Sequence, residues 1–228
     1  MRKISKIIVL ITFCITYMSG CNLNHLWDKD HLFEVTVPED GLFVHDCSSY
    51  TQWHFFSFAE GKIIGSCDAR DSLSNEAWRK RIDWDLAFHR QNVKSNGGIS
   101  GVGLGGILEY KQDRFNFNAI LEAPESGYQT DIADSVVYDM SGMMEGKIGY
   151  AYTGVCQVTK DWAVLTDMMN GVWTIAQKAF IVRTGDGKYA KIFLKKFKSD
   201  TGVSGTITMQ YVYQADGSVN LDINQNSK

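Results

Sequence analysis

The chain has 228 residues, and its 23 Lys and Arg against 26 Asp and Glu give a formal net charge of −3. A mildly acidic protein of this kind is not expected to bind nucleic acid, because nucleic-acid-binding proteins present basic patches. No P-loop, G-x-S-x-G or H-E-x-x-H motif occurs in it, so the sequence favours a protein that is not an enzyme.

The first 20 residues have the three-part layout of a secretory signal peptide. Arg2, Lys3 and Lys6 form a basic start, and residues 7–18 form an uncharged apolar run. This run is shorter than the roughly 20 residues of a transmembrane helix, which disfavours the alternative of an N-terminal membrane anchor. Cleavage after residue 20 removes three of the 23 basic residues, so 20 basic residues face 26 acidic ones and the formal charge becomes −6.

The sequence Met18-Ser19-Gly20-Cys21 resembles the lipobox of bacterial lipoproteins. The resemblance implies cleavage before Cys21 and lipidation of the Cys21 thiol, and several acyl chains hold a protein firmly on a membrane. We therefore expect residues 21–32 to form a lipidated tether. The mature chain is expected in the periplasm or outside the cell, and we predict lipid anchoring to the outer membrane at the cell surface.

Three further cysteines, Cys47, Cys67 and Cys156, remain in the mature chain. An odd number of thiols cannot pair completely within one chain. The compartment permits one disulfide, and Cys47 with Cys67 closes the shorter loop, but the sequence leaves the pairing open. No C-x-x-C motif supports a redox or zinc site.

From residue 33 onward, aromatic and β-branched runs alternate with Gly, Asn, Asp and Ser, as is typical of short strands and turns. These runs lie at residues 53–58, 61–64, 84–94, 178–183, 188–198 and 206–213. Asp186-Gly187, within a four-residue connection, predicts a hairpin between the fourth and fifth runs. No repeat or linker interrupts the series, so we predict an all-β fold with one domain at residues 33–228 and a polar C-terminal tail.

The run at residues 84–94 alternates for most of its length, with Trp84, Leu86 and Phe88 on one face and Asp85 on the other. We interpret Asp83 and Asp85 as part of a solvated face or hairpin edge.

One helix is predicted, over residues 71–82. The glycine-rich stretch at residues 96–106 is predicted to be a flexible connection between strands, because a phosphate-binding loop needs a helix N-terminus after it.

The sequence contains five histidines, and no two of them have the spacing of metal ligands on a helix. They are His25, His31, His45, His54 and His89. We expect His25 and His31 to be solvated in the tether. A lone strand histidine such as His89 is expected to be structural, because buried polar groups are normally satisfied by the fold. His45 and His54 are near each other in sequence, and their role is open.

Residues 135–173 contain five of the six methionines of the mature chain, Met140, Met143, Met144, Met168 and Met169. Two Met-Met pairs stand at breaks between strand-like runs, and each is followed closely by Gly. Methionine usually fills gaps in a hydrophobic core. The alternative is that two loops offer thioether sulfurs to a soft metal centre such as haem iron, and the residues alone leave both interpretations open.

Several blocks together resemble the HmuY-like haem-binding lipoproteins. The resemblance is carried by residues 53–58 with 61–64, 84–90 with 96–101, 138–146, 178–191 and 205–208. Each block is weak alone, but their order and spacing are specific, and they extend from about Tyr50 to Tyr213.

The resemblance implies an all-β outer-membrane lipoprotein that acts like a haemophore. Such a protein captures haem b (iron protoporphyrin IX) from host haemoproteins and passes it to a TonB-dependent outer-membrane receptor. The alternative on the same fold is a lipoprotein that binds a non-haem ligand or acts as a receptor partner. An enzyme is the third and least supported possibility.

In the family, two axial ligands come from loops that face each other across one cleft. Carried onto this chain, the resemblance predicts one iron ligand from Met143 or Met144 and one from Met168 or Met169. Met140 and nearby aromatic residues are expected to line the haem. These aromatic residues are Tyr138, Tyr150, Tyr152 and Trp173.

Overall fold

The computed structural model describes residues 41–112 and 116–222. The predicted signal peptide, the predicted lipidation site Cys21, the predicted tether at residues 21–32 and the histidines His25 and His31 lie outside these residues.

Thirteen strands and one α-helix run through the described part of the chain. The strands are β1 (Leu42–Asp46), β2 (Gln52–Ser57), β3 (Lys62–Asp68), β4 (Leu86–His89), β5 (Asn92–Ser95), β6 (Gly106–Glu109), β7 (Ile132–Gly142), β8 (Lys147–Val155), β9 (Ala163–Asp167), β10 (Val172–Ile175), β11 (Ala179–Arg183), β12 (Tyr189–Lys198) and β13 (Ser204–Gln214). The helix is α1 (Ser72–Arg79), and 3₁₀ turns lie at Phe117–Ala119, Met143–Glu145 and Gln157–Thr159. The predicted all-β fold is confirmed.

The strands form four antiparallel sheets. A five-stranded sheet has the order β1-β13-β12-β11-β6, and a four-stranded sheet has the order β3-β2-β4-β5. The other two sheets are separate two-stranded hairpins, β7-β8 and β9-β10. A lone two-stranded hairpin is at best marginally stable in water, so each of these hairpins depends on packing against the larger sheets.

Two hydrophobic clusters form the core, and the four-stranded sheet contributes to both. Phe56 of β2 and Phe88 of β4 belong to the larger cluster, which they share with β11, β12 and β13. Phe55 of β2 and Ala87 of β4 belong to the smaller cluster, which includes Val136 and other residues of the β7-β8 hairpin. Successive side chains of a strand point to opposite faces, so this sheet is covered on both faces.

Burial on both faces corrects the interpretation of residues 84–94. The run is not one strand with a solvated face but the β4-β5 hairpin, and Arg90 in its turn has a φ of 51°. Asp85, predicted to be solvated or at an edge, is buried. Its carboxylate accepts hydrogen bonds from the backbone N–H groups of Phe58 (2.8 Å) and Gly185 (3.2 Å). Asp85 therefore joins the two larger sheets.

The predicted helix is confirmed, but it ends at Arg79 rather than at Ile82. Asp71 is its N-cap, with a side chain that accepts from the N–H groups of Leu73 and Ser74. Beyond the helix, the carbonyl of Arg81 accepts a hydrogen bond from the Asn96 side chain at 2.9 Å, so this segment is tied to the glycine-rich loop.

The glycine-rich loop is tightly packed, not the flexible connection that the sequence predicted. A Cβ added at Gly97 would lie 2.0 Å from the carbonyl oxygen of Gly105, and one added at Gly105 would lie 2.5 Å from the carbonyl oxygen of Asn96. These glycines are needed because backbone packs directly against backbone.

Cys47, Cys67 and Cys156 are all buried and free, so the Cys47–Cys67 disulfide that the sequence left open is not formed. Cys47 and Cys156 belong to the larger core cluster and Cys67 to the smaller one. Within residues 41–112 and 116–222, no helix is long and apolar enough to span a bilayer.

Candidate functional site

The first methionine pair forms the tip of the β7-β8 hairpin. Met143-Met144-Glu145 make a 3₁₀ turn that Gly146 closes with a φ of 72°, and the Gly146 N–H donates to the Met143 carbonyl at 3.0 Å. The Met143 side chain is 40% exposed and that of Met144 is 91% exposed. Met140 lies just before the tip, half-buried on β7.

The second pair forms the tip of the β9-β10 hairpin. Met168, Met169 and Asn170 lead to Gly171, which has a φ of 61°. The Asp167 carboxylate accepts hydrogen bonds from the backbone N–H of Asn170 at 3.1 Å and from its side chain at 2.7 Å. Met168 is 72% exposed and Met169 is 94% exposed.

The two tips therefore share one design, Met-Met-x-Gly with the glycine in the left-handed region. Both hairpins also have a register shift next to the tip, between Asp139 and Gly142 in one and between Val172 and Trp173 in the other. Such bulges bend a strand and re-aim its side chains, and they are common beside functional sites.

Exposure at both tips excludes packing in the core of this chain as the role of these four methionines. Met209 on β13 shows the ordinary role, since it is fully buried in the larger core cluster. Each tip presents two adjacent exposed methionines, and contiguous exposed apolar side chains often mark interaction sites.

Aromatic side chains near the tips hold each hairpin against the rest of the protein. The Tyr138 hydroxyl donates to the Asp68 carboxylate at 2.9 Å, and the Arg70 guanidinium lies 4.0 Å from the centre of the Tyr138 ring. The Trp173 ring packs on Phe197 of β12, with 4.4 Å between the ring centres. Each hairpin is therefore anchored to the rest of the protein near its tip.

The other two predicted aromatic residues, Tyr150 and Tyr152, lie on β8 and expose much of their rings. They pair with Val137 and Ser135 of β7, and they offer aromatic surface to solvent.

Thioethers are the available soft donors on these hairpins. The sequence has no His between residues 132 and 175. Cys156 follows β8, but burial raises the pKa of its thiol to about 12, and a protonated thiol is not a metal ligand. Among the residues that the structure describes, no group of three or more His, Cys, Asp and Glu side chains is arranged to hold a metal ion.

His89 has a structural position on β4, in agreement with the sequence-based expectation. The ring is fully buried, and its Nε2 donates to the Tyr50 carbonyl at 2.7 Å. Burial lowers the pKa of His89 to about 4, so the imidazole is neutral near neutral pH.

The fold brings His45 of β1 and His54 of β2 together, with 3.2 Å between His45 Nε2 and His54 Nδ1. Burial lowers the pKa of both rings, which keeps the pair neutral at physiological pH. This contact links edge strand β1 of the five-stranded sheet to inner strand β2 of the four-stranded sheet, and it lies on neither methionine hairpin.

The region that contains both hairpins matches a known protein family. The family model described as HmuY protein matches residues 49–211, which include both methionine tips. None of the curated protein sequences matches the chain.

Solved structures with the same fold include three that cover most of the chain. A protein from Bacteroides vulgatus, described as HmuY-like and haem-binding, is 28% identical, with a TM-score of 0.59, over 75% of this chain and 90% of its own. A lipoprotein from Bacteroides fragilis is 23% identical, with a TM-score of 0.60, over 78% and 93%. The apo HmuY analogue of Tannerella forsythia is 22% identical, with a TM-score of 0.58, over 76% and 94%.

Proposed function

The chain belongs to the HmuY family, which is linked to haem binding, and we propose that it binds haem b through methionine ligands from its two hairpin tips. One thioether comes from Met143 or Met144, and the other comes from Met168 or Met169. The observation that carries this proposal is the exposure of all four side chains in two turns of the same design.

The donor chemistry of the tips fits haem iron. Thioether sulfur is a soft, neutral ligand, and Met is an established axial ligand of haem. Imidazole is absent from both hairpins. We therefore expect this site to favour ferrous over ferric iron, relative to a bis-histidine site.

Neutral ligands also determine how the site responds to acid. A histidine ligand is lost when its imidazole takes up a proton near pH 6, whereas methionine does not titrate in this range. Haem binding by the methionine tips is therefore expected to persist in mildly acidic surroundings.

The faces of a bound porphyrin need apolar and aromatic contacts. Met140 and Tyr138 lead into the first tip, and Trp173 follows the second. We assign these three residues to the walls of the haem site. Tyr138 is attached to the rest of the protein through Asp68 and Trp173 through Phe197, which supports this role because it limits the movement of these two side chains.

The cellular role that we propose is that of a lipid-anchored haemophore. Cys21 at the end of the lipobox-like sequence would anchor the chain to the outer membrane at the cell surface. From there it would take haem from host haemoproteins and deliver it to a TonB-dependent receptor.

A titration with haemin, before and after reduction with dithionite, tests the binding function. We expect a saturable Soret band with a one-to-one end point, and sharper bands after reduction. Absence of a Soret change in both redox states would rule out haem as the ligand and favour a lipoprotein of the same fold with another ligand.

A further inference from the structure

A cleft lies between α1 and the β7-β8 hairpin, and none of the tip methionines lines it. Its volume is about 990 Å³, which is in the range of small-molecule binding sites. Asn75 and Arg79 of α1 line one wall, Ser135 and Thr153 of the hairpin line the other, and Lys94 of β5 also reaches the cleft.

Lys94 is an unusual residue to find in this position. Its side chain is 5% exposed, and its Nζ lies 4.0 Å from the centre of the Trp53 ring. The buried Asp131 carboxylate attracts Lys94 electrostatically, but the two groups form no salt bridge in the described part of the chain. The nearby Asp131 carboxylate is instead bonded to the backbone and hydroxyl of Ser95. A buried ammonium without a direct ion pair is costly, so an anion from outside the chain would stabilise it.

Arg70 supplies a second positive charge at the rim of the same cleft. It is exposed, and its guanidinium donates to the Tyr150 carbonyl at 2.9 Å. The guanidinium also stacks on the Tyr138 ring. These contacts fix its position without neutralising its charge.

The other charged groups that line the cleft are already paired. Arg79 binds Glu76 at 2.6 Å, and Asp134 binds Lys160 at 2.7 Å. Lys94 inside the cleft and Arg70 at its rim form no such ion pair with the described residues, and only the electrostatic attraction of Asp131 and Asp139 offsets their charges.

We propose that this cleft binds a small organic anion, with a carboxylate or phosphate group that pairs with Lys94 and a second contact to Arg70. Exposed Tyr150 and Tyr152 line the same cleft, and they provide aromatic surface for the organic part of the ligand. None of the four tip methionines lines this cleft, and Ser135 lies roughly 20 Å along β7 from the tip, at about 3.3 Å per residue.

Calorimetric titration of the purified full chain with phenyl phosphate and with phenylacetate tests the proposal. Phenol serves as the uncharged control. We expect saturable binding of at least one anion and none of phenol, and the preferred anion identifies the acidic group. Failure of both anions to bind would overturn the proposal.

Variants show whether the two cations are responsible. We expect Lys94→Met, which keeps the apolar stem, to weaken binding at least about tenfold, since a charge-assisted contact is lost. Lys62→Met removes an exposed lysine at the far end of β3 and should leave the affinity unchanged. If Lys94→Met fails to fold, the anion affinity of the Arg70→Gln variant, which changes an exposed residue, tests the proposal instead. Equal affinities in the wild type and both cleft variants would contradict the assignment.

Two further measurements show whether the anion binds at Lys94 and whether its binding depends on the methionine tips. Burial lowers the pKa of Lys94 to about 8, and a bound anion would raise it, so binding at pH 8 should take up protons. Titrations in buffers with different ionisation enthalpies measure this uptake, and zero uptake would argue against Lys94 as the group that binds the anion.

Replacement of all four tip methionines by Ala should leave anion binding intact, whatever its effect on haem binding. Loss of anion binding in that variant would contradict a separate site.

Discussion

Met144 and Met169 hold the same position in two separate hairpins. Each is the second residue of a Met-Met-x-Gly tip, and each exposes more than nine-tenths of its side chain. Each tip ends in a glycine with positive φ, at Gly146 and Gly171. Matched, solvent-facing thioethers on two hairpins are the basis of the haem proposal, because thioether sulfur is a soft ligand for haem iron.

Because the tip methionines contribute little to the core, their replacement should hardly change stability. We expect Met143→Ala/Met144→Ala and Met168→Ala/Met169→Ala each to change the free energy of unfolding by no more than about 0.5 kcal/mol. Met209→Ala is the matched control, and its buried side chain should cost about 2–5 kcal/mol. Urea unfolding measures all three. Tip variants as unstable as Met209→Ala would show that the tips have a structural role.

The glycine-rich loop should be sensitive to a single added methyl group. We expect Gly97→Ala to destabilise the fold by at least about 2 kcal/mol, because its Cβ would clash with the Gly105 carbonyl and force the backbone apart. Val102→Ala, at an exposed position of the same loop, should stay within about 0.5 kcal/mol. Thermal unfolding measures the stability of both variants. A Gly97→Ala variant with wild-type stability would disprove the tight packing.

His89 should make the fold sensitive to acid. Its pKa is lowered to about 4 by burial, so its contribution to stability is present above its ordinary pKa of 6.5 and is lost as the pH falls through about 4. Between pH 7.5 and pH 4 this loss amounts to roughly 3 kcal/mol.

The His89→Gln variant should lack this part of the pH dependence in urea unfolding. Asp85 and Asp131 act in the opposite sense, since burial raises the pKa of each to about 6 and the stability they give at low pH is lost as the pH rises through about 6. The difference between wild type and variant therefore isolates His89. Identical pH profiles for both proteins would contradict the account.

Lipid anchoring rests on Cys21, which is outside the described residues. We expect Cys21→Ala to release the chain from membranes into the soluble fraction, because the acyl chains have lost their attachment point. Cell fractionation measures the distribution, with Cys47→Ala as a control that keeps the lipid anchor. A Cys21→Ala protein that stays tightly bound to membranes would indicate another anchor.

Alternating runs in the sequence predicted β11, β12 and β13 of the five-stranded sheet, but not its edge strands β1 and β6. The run at residues 206–213 became β13, and the runs on either side of Asp186-Gly187 became β11 and β12. Local pattern is sufficient there because strand period and turn chemistry agree. It failed at residues 84–94, because burial of both faces and the turn at Arg90 depend on sheets formed by distant segments.

For the candidate site residues too, local sequence patterns were predictable, and contacts between distant segments were not. The Met-Met-x-Gly pattern was visible in the sequence as two breaks between strands, and the structure places both at hairpin tips. Lys94 was not identified, since nothing in Asn92–Ser95 indicates a buried lysine. Its burial arises from Trp53 and the β7-β8 hairpin, and a neighbouring Trp is recognisable only once β2 lies beside β4 and β5.

The absorption spectrum of the dithionite-reduced haem complex tests methionine ligation most directly. We expect sharp low-spin ferrous bands in the wild type that weaken on oxidation, because ferric iron prefers harder ligands. Replacement of either methionine pair by Ala should abolish these bands, whereas His89→Gln should retain them. A spectrum that stays unchanged when Met143, Met144, Met168 and Met169 are all replaced would contradict the proposal.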